Sequence, residues 1–194
     1  MNIGSDQFRK TARRIMATAV TFCFATAALA GPDQLDILGL IPGVSELPQV
    51  KKAGVDPNSK SNNSVMLEIG GHKIPCAMSF LGDKLASLGC ITGKGSKKYE
   101  QYTEASNAEV HSTLTAGFTK KFGKPDSVIR EPVRTRIGVE YEQQIVIWKD
   151  RRGNKLQLVS MAGTVTEGMI TFESAEYLKQ EAEKNAADEA KKKF

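Results

Sequence analysis

Two short turn signals divide residues 64–92 into three strand-like segments, and this pattern constrains the fold more than any other part of the sequence. The Ile-Gly-Gly-His sequence at 69–72 carries the Gly-Gly pair that is typical of two-residue β-hairpins. The Leu-Gly-Asp-Lys sequence at 81–84 forms a second turn. Because such tight turns join antiparallel neighbours, the sequence predicts a three-stranded antiparallel meander.

The register of this meander brings two cysteines together. If Phe80 pairs with Ala86, Cys76 lies opposite Cys90 on the same apolar face. Directly opposed residues of antiparallel strands have the short separation that a disulfide needs. A disulfide is therefore predicted. A redox-active dithiol is the alternative, although such pairs usually have C-x-x-C spacing at a helix start.

The clearest helix signal lies in the second half of the chain. Ser106 and Glu109 form a capping-box pattern, and Gly123 followed by Pro125 predicts the end of the helix. Four apolar residues recur every four positions between these signals and predict a stripe that faces a sheet: Val110, Leu114, Phe118 and Phe122. Strand patterns follow at 127–130, 141–149, 155–161 and 168–172, with a turn at 150–154.

A shorter helix is predicted ahead of the first meander, from Glu46 to Ala53. Ser45 is its predicted cap, and Gly54 stands where a left-handed residue ends a helix. Each half of the chain is then a helix followed by an antiparallel meander. The predicted fold is α+β, with tandem helix-plus-meander units and the helices packed on one face of a mostly antiparallel sheet.

The predicted domain covers residues 31–173, in two halves at 31–93 and 103–173. Residues 174–194 have the composition of a charged helical tail, with Ser174 as its cap. This tail is either a solvated extension or a helix that docks on a partner.

Residues 1–30 have the pattern of a cleavable signal peptide. Four basic residues and a single acid, Asp6, precede an uncharged apolar run at 15–29, which is short for a membrane span. The run ends in the small-x-small sequence Ala-Leu-Ala at 28–30. Cleavage after Ala30 predicts a periplasmic or secreted protein with no remaining transmembrane segment. An uncleaved N-terminal anchor is the alternative.

Removal of the signal changes the charge balance. The chain has 27 Lys and Arg and 22 Asp and Glu, and 23 and 21 of them remain after residue 30, so the net charge falls from +5 to +2. This small charge and the lack of an aromatic RNA-binding signature argue against a nucleic-acid partner. The two cysteines that remain form an even pair, as expected in an oxidising compartment.

No sequence motif predicts catalysis, a cofactor or a metal site. Neither His72 nor His111 has the H-x-x-x-H or C-x-x-C spacing of a zinc site, and no G-x-S-x-G elbow is present. His72 is predicted to be an exposed edge residue, and His111 a solvent-facing helix residue. A catalytic triad assembled in space stays open, because such triads need no sequence spacing.

Candidate binding residues come from two basic groupings and from the large amphipathic side chains. One grouping has lysines at positions 94, 97 and 98, and the other has arginines at 130, 134 and 136. An anionic lipid headgroup or an acidic protein surface fits such a cationic ledge, whereas the interleaved acids favour an ordinary solvated face. The candidates for partner binding are Tyr99, Tyr102, Arg134, Arg136, Tyr141 and Trp148. Trp148 also fits a core position, because it alternates with Val146.

Three short sequences carry a resemblance to known proteins: Leu-Gly-Leu-Ile-Pro-Gly-Val-Ser at 38–45, Phe-Gly-Lys-Pro at 122–125 and Trp-Lys-Asp at 148–150. Their order resembles that in small exported bacterial α+β proteins, namely the β-lactamase inhibitor proteins and the small lipoproteins of outer-membrane assembly. The chain lacks the lipid-attachment cysteine of the lipoproteins and any segment that matches an inhibitory loop. The resemblance implies a noncatalytic protein-binding module of the bacterial envelope.

The function predicted from the sequence is therefore noncatalytic binding of an envelope protein. Two alternatives remain. A carrier of a lipid or another anion requires an apolar cavity between helix and sheet. A small hydrolase requires a cleft that joins His111 with carboxylates of the second half.

Overall fold

The computed structural model describes residues 32–52, 64–93, 104–134 and 138–191. The predicted signal peptide at 1–30 and the predicted helix stop at Gly54 lie outside these residues. The described helices are α1 (Leu47–Lys52), α2 (Glu104–Phe122) and α3 (Ala175–Lys191). The described strands are β1 (Ser64–Ile69), β2 (His72–Leu81), β3 (Lys84–Thr92), β4 (Ser127–Arg134), β5 (Glu140–Lys149), β6 (Lys155–Val159) and β7 (Gly168–Glu173).

All seven strands form one antiparallel sheet in the order β1-β2-β3-β7-β6-β5-β4. The two predicted meanders are β1–β3 and β4–β7, and they join where β3 pairs with β7. This arrangement confirms the predicted α+β fold. Strands β1 and β4, the first of each meander, are the two edges of the sheet.

The first meander confirms the predicted disulfide and corrects part of its register. Cys76 lies directly opposite Cys90, their Cα atoms are 4.0 Å apart, and the two sulfurs are bonded. Phe80, however, pairs with Leu85 and not with Ala86, because a β-bulge makes Ala86 an extra residue on β3. The bulge places the backbone oxygen of Ala86 where it accepts a hydrogen bond from the backbone N–H of Ser174.

The inner face of the sheet carries the core. One continuous row crosses five strands and is formed by Trp148, Leu156, Phe172, Leu88 and Met78. All five side chains are buried. The predicted apolar stripe of α2 is confirmed, because its four residues are buried in the same cluster.

The beginnings of α1 and α2 differ from the predictions. Helix α2 begins at Glu104, so Ser106 is inside the helix and is not its cap; the preceding Glu and Ala are good helix formers and extend it. The Oγ of Ser45 accepts the N–H of Ile41 and does not cap α1. The side chain of Gln49 instead accepts the backbone N–H of Glu46. The predicted end of α2 is confirmed at Phe122, after which Gly123 has a φ of +85°.

Two polar residues tie the chain together at one end of the sheet. Buried Asp150 accepts the backbone N–H groups of Arg152 and Asn154 in the predicted β5–β6 turn, and also the N–H of Leu35. Ser174 caps α3 as predicted, because its Oγ accepts the N–H of Tyr177. Beyond this cap, α3 has no buried residue. Within the described ranges, no helix has the length and apolar character needed to cross a membrane.

A candidate binding groove beside helix α2

A groove of about 820 Å³ lies between α2 and the inner face of β4 and β5. We call it the α2 groove. Its floor is formed by Arg130 of β4 and by Glu142 and Gln144 of β5, and its end by residues that follow β6. The α2 side of the groove is formed by Asn107, Ala108, His111, Ser112, Thr115, Ala116, Thr119 and Lys120, and the end by Ser160, Met161 and Val165.

The spacing of small residues on α2 explains why space remains there. Ala108, Ser112 and Ala116 follow each other at intervals of four and therefore lie on one side of the helix. The neighbouring side carries the large apolar residues, which pack into the core; the ring of Phe118, for example, meets Trp148 edge-on at 5.8 Å. The helix thus packs over the middle of the sheet, and its small side chains leave part of β4 and β5 uncovered.

Asn107 holds the loop after β6 against α2. Its side chain is 2 % exposed, and its Nδ2 donates to the backbone oxygens of Ser160, at 2.6 Å, and Val165, at 3.2 Å. These two acceptors fix the orientation of the amide, because a flipped amide would place oxygen against oxygen. The Oδ1 of Asn107 is buried and has no hydrogen-bond partner in the described part of the chain.

His111 lies one helical turn further along the same side of α2. Its side chain is 5 % exposed, and one ring nitrogen hydrogen-bonds the backbone of Leu158 on β6. The Nε2 of His111 is buried and has no hydrogen-bond partner among the described residues. Burial lowers the pKa of His111, and the Leu158 hydrogen bond opposes that shift in part.

Charged groups of both signs border the groove. The guanidinium of Arg130 is 3.2 Å from a carboxylate oxygen of Glu142, and both side chains are well exposed. Lys120 on α2 also lines the groove. The floor of the groove therefore carries an exposed ion pair, and its α2 side carries a cation.

The prediction that His111 faces solvent is wrong. The ring lies beside the apolar stripe of α2 and packs toward β6, so the sheet covers it. His72, predicted to be exposed, is half-buried at the start of β2. The described residues contain no group of three His, Cys, Asp or Glu side chains placed to hold a metal ion.

The predicted binding residues that the structure describes, Arg134, Tyr141 and Trp148, do not form one surface. Trp148 is fully buried, and its Nε1 donates to the backbone oxygen of Gly123 at 3.1 Å, so it is a core residue and not a surface anchor. Arg134 is exposed and lies 3.6 Å from Glu140, and Tyr141 is half-buried opposite Val133. Arg134 and Tyr141 come from adjacent register pairs, so they point to opposite faces of the sheet. The remaining candidates lie outside the described residues: Tyr99, Tyr102, Arg136 and the three lysines at 94, 97 and 98.

Sequence reasoning missed Asn107, Gln144 and Ser160. Each is a common polar residue type, and no sequence motif marks its position. The one sequence feature that could have drawn attention to this side of α2 is the i, i+4 spacing of Asn107 and His111 beside the apolar stripe. That spacing indicates a shared side of the helix and does not indicate whether this side is buried.

Comparison with known proteins identifies no related protein. No family model, no curated protein and no solved structure matches this chain.

Proposed function

We propose that this chain is an exported, noncatalytic binding module of the bacterial envelope, and that the α2 groove binds a segment of another protein. The groove is the observation that carries this proposal. Its volume of about 820 Å³ is within the range of ligand sites. Its position between a helix and uncovered strands gives a bound segment both side-chain and backbone contacts.

The edge strand beside the groove supports a protein ligand. In the described part of the chain, no strand pairs with the outer side of β4, so this edge offers backbone groups to an extended segment. Val128, on the same face of β4 as Arg130, is one of the large apolar side chains that are exposed. An exposed apolar side chain beside a groove with polar side chains fits a protein-binding site.

Export is supported by the disulfide and by the N-terminal sequence. The Cys76–Cys90 bond is typical of proteins that fold in oxidising compartments. The pattern of residues 1–30 is that of a signal peptide that directs a protein to such a compartment.

Site-specific photo-crosslinking in envelope extract tests the proposal. A photoreactive residue is placed at Ala116 in the groove, and a matched one at Ala77 on the exposed outer face of β2. We expect the probe at position 116 to crosslink one protein in stoichiometric amount, and the probe at position 77 not to do so. Crosslinking to the same proteins from both positions, or from neither, contradicts a protein-binding groove.

A hydrolase is a second candidate, because the groove brings Ser112, His111 and Glu142 into one cleft. The hydrogen bonds favour it less. Among the described residues, the Nε2 of His111 has no hydrogen-bond partner and Glu142 pairs with Arg130, so none of their carboxylates orients the ring. Turnover of an activated ester that is lost in Ser112→Ala and retained in Thr113→Ala, a variant of an exposed α2 residue outside the groove lining, would favour the hydrolase over the binding module.

A lipid carrier has no comparable support. The carrier requires an apolar cavity between helix and sheet, whereas the apolar stripe of α2 packs directly into the buried core cluster, and the α2 groove beside it carries charged side chains.

A further inference from the structure

The two edges of the sheet differ in how well they are protected against pairing with a second sheet. Strand β4 carries a proline and three charged residues: Pro132, Arg130, Glu131 and Arg134. Such residues oppose a full-length ladder along an edge, while a short bound segment needs only part of it. Strand β1 has no proline, and Glu68 is its only charged residue. In the described part of the chain, no strand pairs with the side of β1 that faces away from β2.

The hairpin between β1 and β2 fixes which backbone groups of β1 point to this free edge. Ile69 pairs with His72 across the two-residue Gly-Gly turn, and the pair that closes such a hairpin is hydrogen-bonded. Hydrogen-bonded and non-hydrogen-bonded pairs alternate along an antiparallel ladder, so Val65 and Leu67 also bond to β2. The backbone N–H and C=O groups of residues 64, 66 and 68 therefore point away from β2.

The residues of β1 form an apolar centre between polar ends. Leu67 is buried on the inner face, where Val65 packs against the same core cluster. Met66 alternates with them and points to the outer face, where it is 50 % exposed. Ser64 and Glu68 flank these three residues. This pattern is complementary to itself, because an antiparallel second copy reverses the order of the residues and keeps the apolar centres aligned.

Two antiparallel registers keep the apolar centres together, and they differ in hydrogen bonds and in charge. If Met66 lies opposite Met66 of a second copy, residues 64, 66 and 68 form three opposed pairs that each exchange two backbone hydrogen bonds. If Leu67 lies opposite itself, only positions 66 and 68 pair in this way within the strand, and Met66 meets the carboxylate of Glu68. The first register makes more hydrogen bonds and pairs apolar side chains on both faces, so it is favoured.

We propose that two copies of this chain pair antiparallel along β1, with Met66 of one copy opposite Met66 of the other, in a dimer with two-fold symmetry. The two seven-stranded sheets then form one continuous sheet, and a single contact covers the β1 edge of both copies. The interface is one strand pair, so the dimer belongs to the weak, reversible class. This inference is independent of the proposed function, because the α2 groove lies at the opposite edge of the sheet.

Sedimentation equilibrium over a range of protein concentrations tests the pairing. The full chain is expressed with its own N-terminal sequence and is studied with the Cys76–Cys90 bond intact. We expect the wild type to dimerise reversibly with a dissociation constant of about 10–100 µM, as a small interface implies. Met66→Lys and Met66→Glu each place like charges opposite each other across the two-fold axis. We expect each substitution to weaken the dimer about tenfold.

A mixture of these two variants tests the register. When Met66→Lys and Met66→Glu are mixed in equal amounts, the introduced ammonium group of one chain lies opposite the introduced carboxylate of the other. We expect the mixture to dimerise at least as tightly as the wild type, at a concentration where each variant alone is mainly monomeric. This result requires that position 66 lies opposite position 66.

Ile91→Lys is the matched control. Ile91 lies on the outer face of β3 and is 48 % exposed, close to the 50 % of Met66, but β3 is inside the sheet and not at its edge. We expect Ile91→Lys to dimerise as the wild type does. Because both positions are well exposed, the lysine variants should keep the urea midpoint of the wild type, which shows that each variant is folded.

Several outcomes would overturn the inference. A wild type that stays monomeric up to about 1 mM has no such interface. A dimer that Met66→Lys leaves unchanged uses another surface, and one that Ile91→Lys weakens equally uses the outer face of the sheet and not its edge. A tighter dimer in Met66→Lys alone would place Glu68 opposite position 66, in the other register. A mixture of the Met66 variants that stays monomeric also contradicts the proposed register.

Discussion

At the scale of single residues, the burial of His111 links stability to pH. Burial lowers the pKa of His111 in the folded protein below the ordinary value of 6.5. The unfolded chain therefore takes up a proton that the folded chain does not when the pH falls through about 6.5. The stability that the folded chain gains from holding His111 neutral is therefore fully present above that pH. It is lost progressively as the pH falls toward the lower pKa of His111 in the folded state.

Urea unfolding at pH 7.5 and pH 5.5 measures the effect. We expect the wild-type chain to lose stability at the lower pH, and His111→Gln to lose less of it. His72→Gln keeps His111 in place and is the control that should retain the full pH dependence. Equal pH dependence in His111→Gln and the wild type would contradict this account.

The Cys76–Cys90 disulfide stabilises the chain mainly by restricting the unfolded state. The bond joins residues 14 positions apart, and closing a loop of this size is worth about 3 kcal/mol in the chain-entropy model. We expect Cys76→Ala/Cys90→Ala to lower the free energy of unfolding by about this amount. A reducing agent should destabilise the wild type similarly and leave the double variant unchanged; an effect of the reducing agent on the double variant would contradict the assignment.

The sequence predicts residues whose position follows from pattern, and misses those whose position follows from packing. Cys76 and Cys90 are predictable because turn positions fix the register between them. His111 is not, because it adjoins the apolar stripe of α2, and only the helix's rotation on the sheet decides whether it is covered. The Phe80 register fails by one residue because a β-bulge has no reliable sequence signal.

At the scale of elements, the β5–β6 turn holds the N-terminal segment. Asp150 is buried, and its carboxylate accepts hydrogen bonds within the turn and from the backbone N–H of Leu35. Asp150→Ala leaves those donors without an acceptor, and we expect a loss of about 3 kcal/mol in the free energy of unfolding. Asp126→Ala removes an exposed acceptor of Lys149 and should cost less. Similar losses in the two variants would contradict a special role for Asp150.

Element types are easier to predict than their ends. The apolar residues of α2 repeat over three turns, so the helix and its buried side follow from the sequence. Its start does not, because Glu104 extends the helix beyond the capping pattern at Ser106. Ser174 caps α3 because its Oγ accepts the backbone N–H of Tyr177. Ser45 does not cap α1, because its Oγ accepts the backbone N–H of Ile41, which precedes it in the chain.

At the scale of the whole molecule, the α2 groove depends on the pairing of the two meanders. The β3–β7 pairing joins residues such as Cys90 and Ile170, which are far apart in sequence. It places β4 and β5 at one side of the sheet, beyond the width that α2 covers. Local patterns predict each meander but not this long-range pairing, so the sequence predicts the halves and not the groove.

The C-terminal helix α3 contacts the rest of the chain at its beginning and is exposed toward its end. Its cap, Ser174, is buried and bonds Ala86 and Tyr177, whereas every residue from 182 to 191 is exposed. Removal of residues 182–194 should therefore change the free energy of unfolding by no more than about 0.5 kcal/mol. Ser174→Ala should cost about 1 kcal/mol through loss of the cap. A truncation that costs more than the cap variant would mean that the end of α3 packs against the rest of the chain.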